Sequence, residues 1–252
     1  MLDRVIQTQT CTLAKGIMHS LRTIGFILTV WLIIGLAFPT TASMSDGTLR
    51  FEVSLDGRPI GEHILTFVKQ PNGLLNVAID IDLDVKLGPF TVFTYDHRNR
   101  TAWRAGRLVA LDSETDDNGQ RHWVRAAANA NGLAISSDKG MSAEVSAGLL
   151  PTTYWMFSTV RQNRLINSQT GEMLDVAVRR VGREKLDGPD GAIAATLYRM
   201  DGDLKINLWY DDSGVLVGLA FVARGAQVTY RLTQRSGPIP VSMAGIIMTA
   251  RH

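Results

Sequence analysis

The sequence predicts a mainly β protein, folded as one antiparallel, strongly curved sheet or open β-barrel with one short helix. The first reason is that apolar and polar residues alternate strictly over long stretches. In "LNVAIDIDLDVKL" (75–87), Leu, Ile or Val occupies every second position, and polar residues or Ala occupy the others. A period of two over such a length indicates a strand. At about 3.3 Å per residue the strand would be on the order of 40 Å long, which favours curling.

Turn dipeptides are the second reason, because they separate the alternating stretches at short intervals. Asp, Asn or Ser followed by Gly supplies a positive-φ position and marks hairpins at 56–57, 72–73, 118–119, 131–132, 201–202 and 213–214. Further strands are predicted near 49–55, 60–69, 91–103, 107–115, 121–129, 132–137, 173–181, 192–200, 203–210, 215–223 and 226–233. Strands joined by short turns pair antiparallel. The one predicted helix is "TTYWMFSTVRQNRL" (152–165), with Pro151 before it and Thr152 or Thr153 as N-cap.

The N-terminus predicts export. Residues 24–38, "IGFILTVWLIIGLAF", carry no charge, but the stretch is shorter than the roughly 20 residues that span a bilayer core. Basic residues precede it and a small-residue site ending at Ala42 follows it, as in a secretory signal peptide. We therefore expect cleavage after Ala42 and a periplasmic location. The alternative is an uncleaved inner-membrane anchor, with the domain facing the periplasm.

The expected organisation is a signal peptide over 1–42, a β-rich exported domain over 43–233 and a C-terminal tail over 234–252. Met18 offers an alternative start, and Cys11, the only cysteine, lies upstream of it. A mature chain then has no disulfide, no thiol nucleophile and no Cys-ligated metal. In the tail, "GPIP" (237–240) is typical of an extended linker, and 241–248 is a short apolar stretch.

Charge argues against nucleic-acid binding. The chain has 26 Lys and Arg against 24 Asp and Glu, a net charge of +2, and no basic run. We expect no nucleic-acid partner, and membrane contact only through the N-terminal segment if it is not cleaved.

Motifs for catalysis, cofactors and metals are missing from the sequence. "DIDLD" (80–84) has Val85 and Thr91 where a calcium loop needs Gly and Glu. The histidines have no zinc-protease spacing, and G-x-S-x-G, G-x-G-x-x-G and P-loop patterns do not occur. We expect no catalytic residues, no cofactor and no metal. A carboxylate/histidine hydrolase using His97 or His63 is the less favoured enzymatic alternative.

Adjacent carboxylates at Asp211 and Asp212 raise the question of a metal or acid/base site. They lie in "INLWYDDSGVLVGLAF" (206–221), between two alternating stretches. The favoured explanation is a four-residue hairpin loop, "DDSG", in which Asp and Ser bond to local backbone and Gly takes the left-handed position.

Dispersed aromatic residues predict a ligand site. If the sheet curls, some of these side chains would line a concave apolar cavity that binds lipids or other apolar molecules. The predicted ligand-binding residues are Trp103, Tyr154, Trp155, Trp209 and His97. The other explanation for them is an ordinary aromatic core.

Several segments resemble one bacterial family. They are "DGRPIG" (56–61), "WRAGRL" (103–108), "NSQTG" (167–171) and "LWYDDSG" (208–214). These motifs are similar to those of the exported domain-of-unknown-function family numbered 6134, a relative of the group numbered 3108. The resemblance covers roughly 49–232. It implies a periplasmic β-rich domain with no assigned chemistry.

Three functions fit the sequence. The favoured one is a non-enzymatic binding or carrier module for an apolar or lipid-like ligand, which predicts a cavity at ligand-site scale. The second is an envelope scaffold that binds a protein partner through exposed strand edges. The third is the hydrolase named above.

Overall fold

β-Strands make up most of the chain that the structure describes. The computed structural model describes residues 47–140 and 142–240, all within the second of the chain's two units, Ala42–His252. The expected signal peptide over 1–42 and the apolar stretch over 241–248 lie outside the described residues.

Fifteen strands form one sheet. They are β1 Gly47–Leu55, β2 Arg58–Lys69, β3 Leu75–Leu87, β4 Phe90–Arg104, β5 Arg107–Asp117, β6 Gln120–Ala128, β7 Leu133–Ser137, β8 Ser142–Val145, β9 Leu150–Pro151, β10 Arg164–Ile166, β11 Met173–Gly188, β12 Gly191–Gly202, β13 Ile206–Asp211, β14 Leu216–Ala223 and β15 Ala226–Ser236.

The strand order makes the sheet an open barrel. The spatial order is β8-β7-β6-β5-β4-β3-β2-β1-β15-β14-β13-β12-β11-β10-β9. All neighbours pair antiparallel except β9 and β10, which are parallel. The two edge strands, β8 and β9, are joined by residues 146–149 alone, so the chain holds the two edges of the sheet close together. The predicted fold class, a mainly β, antiparallel and strongly curved sheet, is confirmed.

Burial alternates along the strands as the sequence pattern requires. On β1, Leu49, Phe51 and Val53 are buried and the residues between them are half-buried. On β3, Val77, Ile79 and Leu83 lie on the same inner face. These side chains form a core inside the curved sheet, where removal of apolar surface from water stabilises the fold.

The predicted helix is much shorter than the segment that suggested it. Only Phe157–Arg161 is helical, as one 3-10 helix. Pro151 pairs with Ile166 instead of preceding an N-cap, and Tyr154 has a φ of 57°, outside the helical region. No helix within the described ranges is long and apolar enough to cross a membrane.

Candidate functional site

The predicted ligand-binding residues are spread over both faces of the sheet. Trp103 and Trp155 meet inside it, with ring centroids 5.4 Å apart in an edge-to-face contact, and Phe67 packs against Trp155 at 5.3 Å. Trp103 and Trp155 are buried. Their positions match the alternative of an aromatic core.

Tyr154 and Trp209 lie apart from each other. The Tyr154 backbone carbonyl accepts a hydrogen bond from the Tyr210 hydroxyl at 2.6 Å. Trp209 alternates with buried Leu208 and Tyr210, and its indole N–H donates to the Glu184 carboxylate at 2.7 Å. Binding of a ligand by these residues stays a prediction.

His97 belongs to a row of three histidines on alternate strands. His63 on β2, His97 on β4 and His122 on β6 are in register, with Ile81 between the first two and Thr115 between the last two. The His97 Nδ1 atom lies 2.8 Å from the Thr115 hydroxyl oxygen. The sequence does not reveal this row, because it depends on the register of five strands.

Burial keeps the first two histidines uncharged. Desolvation, with a smaller contribution from nearby His97, lowers the pKa of His63 from 6.5 to about 3. Desolvation also lowers the pKa of His97 to about 4, with a contribution from the Arg98 charge. The His63 Nε2 atom and the Asn99 amide have no hydrogen-bond partner among the described residues. Both imidazoles are therefore neutral at neutral pH, and their low pKa values make them poor general bases.

A histidine–aspartate pair lies at one end of this row. The His122 Nδ1 atom is 2.9 Å from the Asp138 carboxylate, which also accepts from the Trp123 backbone N–H at 3.1 Å. These bonds lower the pKa of Asp138. No hydroxyl or thiol among the described residues bonds to His122, so the pair fastens the turn after β7 and lacks a nucleophile.

Acidic residues at the surface pair with arginines. Asp80 contacts Arg98 and Arg100, at 3.4 and 2.8 Å. Asp211 and Asp212 contact Arg235 and Arg183. Within the described part of the chain, no group of three or more His, Cys, Asp or Glu side chains is placed to hold a metal ion.

A groove of about 790 Å3 lies on the outer face of β2–β7. Its floor is a row of alanines that are cross-strand neighbours on β4–β7, continued by Asn76 and Val68 on β3 and β2. Ala127 is exposed and alternates with buried Ala126, which places the row on the solvent side of the sheet. We call these residues the alanine row: Ala102, Ala110, Ala127 and Ala134.

A charged row forms one wall of the groove. Arg100, Asp112 and Arg125 are cross-strand neighbours on β4, β5 and β6. The Arg125 Nε atom lies 3.6 Å from the Asp112 carboxylate, and its guanidinium lies over the Trp123 ring at 5.2 Å. The groove therefore combines an apolar floor with a polar wall that carries both signs of charge.

A second cavity, of about 550 Å3, lies where the two edges of the sheet approach each other. Val145 and Ser146 line it from the β8 side, and Arg164, Met173 and Asp175 from the side of β10 and β11. Arg164 donates to the Asp175 carboxylate at 2.6 Å across its rim. This cavity borders the free edge of β8, the edge that has no strand partner among the described residues.

The fold is an open, β-barrel-like domain with a groove on its outer face. The chain belongs to the family described as "Domain of unknown function (DUF6134)", whose profile matches residues 51–233. The resemblance seen in the sequence is thereby confirmed. No curated protein shows significant sequence similarity.

Solved structures that are similar to this chain include the following two. The first is a β-barrel-like protein of the domain of unknown function DUF1849 from Brucella abortus, with a TM-score of 0.56 and 10% identity over 77% of this chain and 98% of that chain. The second is MucB, with a TM-score of 0.32 and 11% identity over 79% of this chain and 55% of that chain. At such identity the first likeness concerns the fold alone.

Proposed function

We propose that the chain is a non-enzymatic binding or carrier module of the periplasm, and that it holds an apolar, chain-shaped ligand such as the acyl part of a lipid in the outer groove. The groove of about 790 Å3 carries this proposal, because ligand sites of soluble proteins span about 300–1,000 Å3. The predicted signal segment supports the periplasmic location, with the anchored form as alternative.

The shape of the groove suits an extended molecule. Its floor runs across the strands from β2 to β7, and five strand spacings of about 4.8 Å give a length of roughly 24 Å. Small side chains on the floor let a ligand approach the sheet closely, and their methyl groups offer apolar contact. Arg100 and Arg125 stand at the wall, where a polar head group would lie.

A bulky side chain on the floor tests the proposal. Ala127→Trp places an indole ring on the floor of the groove and obstructs it, whereas Ala194→Trp places the same ring at another exposed strand position, on β12. We expect the wild type and Ala194→Trp to bind a fluorescent fatty acid in titration. Ala127→Trp should bind it at least tenfold more weakly. Equal affinity in all three proteins, or no binding by the wild type, would overturn the proposal.

A protein-binding role in the envelope is the second candidate. The free edge of β8 beside the cavity of about 550 Å3 favours it, because an unpaired strand edge accepts an extended segment of a partner. Ala143 lies on that edge strand. Under this alternative, crosslinking in the periplasm would join the wild type to an envelope protein. Ala143→Pro would abolish that crosslink and leave fatty-acid binding unchanged.

A further inference from the structure

The hairpin between β3 and β4 projects beyond the rest of the sheet. The pairing of β2 with β3 ends at Gly61 and Leu83, and the pairing of β4 with β5 ends at Tyr95 and Asp117. Among the described residues, 84–94 therefore have no strand partner except each other, and only Thr94, at the base, also bonds to Asn118 in the turn after β5. We call them the ribbon.

Apolar side chains at the tip of the ribbon are open to solvent. Leu87 is 70% exposed, Phe90 is 72% exposed and Val92 is 53% exposed. They are three of the five large hydrophobic residues that are exposed in the described part of the chain. An exposed apolar cluster on a projecting element marks an interaction site.

Basic side chains surround this tip. Lys86 is on the ribbon, and the Arg224 guanidinium lies over the Phe93 ring at 5.3 Å. Arg58 is in the hairpin between β1 and β2, which the antiparallel order places at the same end of the sheet.

Carboxylates lie at the base of the ribbon. Asp84 is its first residue, and the neighbouring strand ends carry Asp82, Asp96, Asp116 and Asp117. In the turn between β1 and β2, the Asp56 carboxylate accepts a hydrogen bond from the Gln227 backbone N–H at 2.8 Å. Nearer the tip, Lys86 is the only charged residue of 85–93, and the Arg224 guanidinium lies over Phe93, so the tip itself carries positive charge.

The shape of the ribbon favours a lipid surface over a folded partner. A standard protein interface buries about 800 Å2 on each side, and three side chains at the tip of a two-stranded ribbon offer a few hundred Å2 at most. Lipids rearrange around a narrow projection, so a bilayer can cover these side chains completely. Lysine and arginine can keep their charges at the head groups while their stems remain in the apolar layer.

We infer that the ribbon inserts Leu87, Phe90 and Val92 into the surface of an anionic bilayer, with Lys86 and Arg224 at the phosphate level. The sequence predicts membrane contact only through the N-terminal segment, and the ribbon is a second contact. Membrane insertion by the ribbon does not depend on a ligand in the groove, because the groove lies near the opposite ends of β3 and β4 from the ribbon.

A fluorophore at the tip reads out insertion directly. In the exported protein, whose chain after Ala42 has no cysteine, an environment-sensitive dye is attached at Phe90→Cys or, as control, at Val181→Cys, an exposed apolar position on β11. Vesicles of phosphatidylcholine with about one-third phosphatidylglycerol should brighten and blue-shift the dye at position 90 and leave the dye at 181 unchanged. Lys86→Gln should weaken vesicle binding by a factor of about five.

Flotation of unlabelled protein with the same vesicles supplies the second readout. The double variant Leu87→Ser/Phe90→Ser should partition at least tenfold more weakly than the wild type, and Val181→Ser should match the wild type. Insertion of the ribbon is ruled out if vesicles leave the fluorescence of the dye at position 90 unchanged, or if they change the fluorescence at position 181 equally. Insertion is also ruled out if the fluorescence of the dye at position 90 changes with protein concentration in the absence of vesicles. That result would indicate that a second copy of the chain covers the tip. Fatty-acid binding in the groove should be the same in all these variants.

Discussion

The hydroxyl of Tyr210 on β13 donates a hydrogen bond to the backbone carbonyl of Tyr154, at 2.6 Å. Tyr210 is buried, and Tyr154 has a positive φ of 57°. The bond fastens the segment before the 3-10 helix to the sheet and holds a backbone conformation that a bulky residue rarely adopts.

Removal of this hydroxyl should destabilise the domain. Tyr210→Phe leaves a half-buried carbonyl without its partner, which costs about 1 kcal/mol in free energy of unfolding. Tyr198→Phe, at a half-buried neighbour, is the control and should cost less. Urea denaturation measures both. Equal effects would mean that the Tyr210–Tyr154 bond does not hold the segment.

The buried histidines should make the domain sensitive to acid. The folded-state pKa values, about 3 for His63 and about 4 for His97, lie below the ordinary value of 6.5. As the pH falls below 6.5, both imidazoles are protonated in the unfolded chain but stay neutral in the folded chain, which favours unfolding. The free energy of unfolding is therefore not reduced by these histidines above about pH 6.5. It declines as the pH falls toward 4, by up to about 1.4 kcal/mol per pH unit for each histidine.

Denaturation at a series of pH values checks this dependence. His63→Phe should flatten the slope between pH 6.5 and 4, because it removes one of the two groups. An identical slope in the variant would contradict the assignment.

The two adjacent aspartates should differ in their contribution to stability. Asp211 accepts bonds from the backbone N–H groups of Ser213 and Val215, each at 2.9 Å. Asp212 makes an exposed ion pair with Arg183. Asp211→Ala should cost about 1–2 kcal/mol, and Asp212→Ala less than about 1 kcal/mol. Thermal unfolding of the two variants compares them directly, and a larger loss in Asp212→Ala would contradict the turn explanation.

Local patterns predicted the strands and turns well, because each depends on a few neighbouring residues. β3 has the predicted bounds, Leu75–Leu87, and "DDSG" forms the predicted turn. The helix over 152–165 was overestimated, because pairing of Pro151 with Ile166 and the positive φ of Tyr154 override local propensity.

The groove could not be predicted in the same way. The members of the alanine row come from four strands, and only the register brings Ala110 beside Ala127. The histidine row depends on register too, and the ribbon depends on where β2 and β5 stop pairing with β3 and β4. Single-sequence patterns do not contain this long-range information.

Gly61 should be intolerant of any side chain. It has a φ of +153°, and a Cβ atom there would lie 1.9 Å from the Asp82 backbone oxygen. Gly61→Ala would force β2 away from β3 and cost more than about 1 kcal/mol. Gly148→Ala is the control, since the nearest heavy atom would be the Ser146 hydroxyl oxygen at 3.9 Å. If both variants melt at the same temperature, the close approach at Gly61 is not required.

Native mass spectrometry of the protein purified from its own periplasm without detergent would show whether it carries an apolar ligand in its outer groove. A loaded groove should give a reproducible added mass on the wild type and on Ala194→Trp. That mass should be released on denaturation, removed by lipid extraction and lost in Ala127→Trp. A bare wild-type mass under gentle conditions, or an added mass that persists in Ala127→Trp, would rule out a ligand carried in this groove.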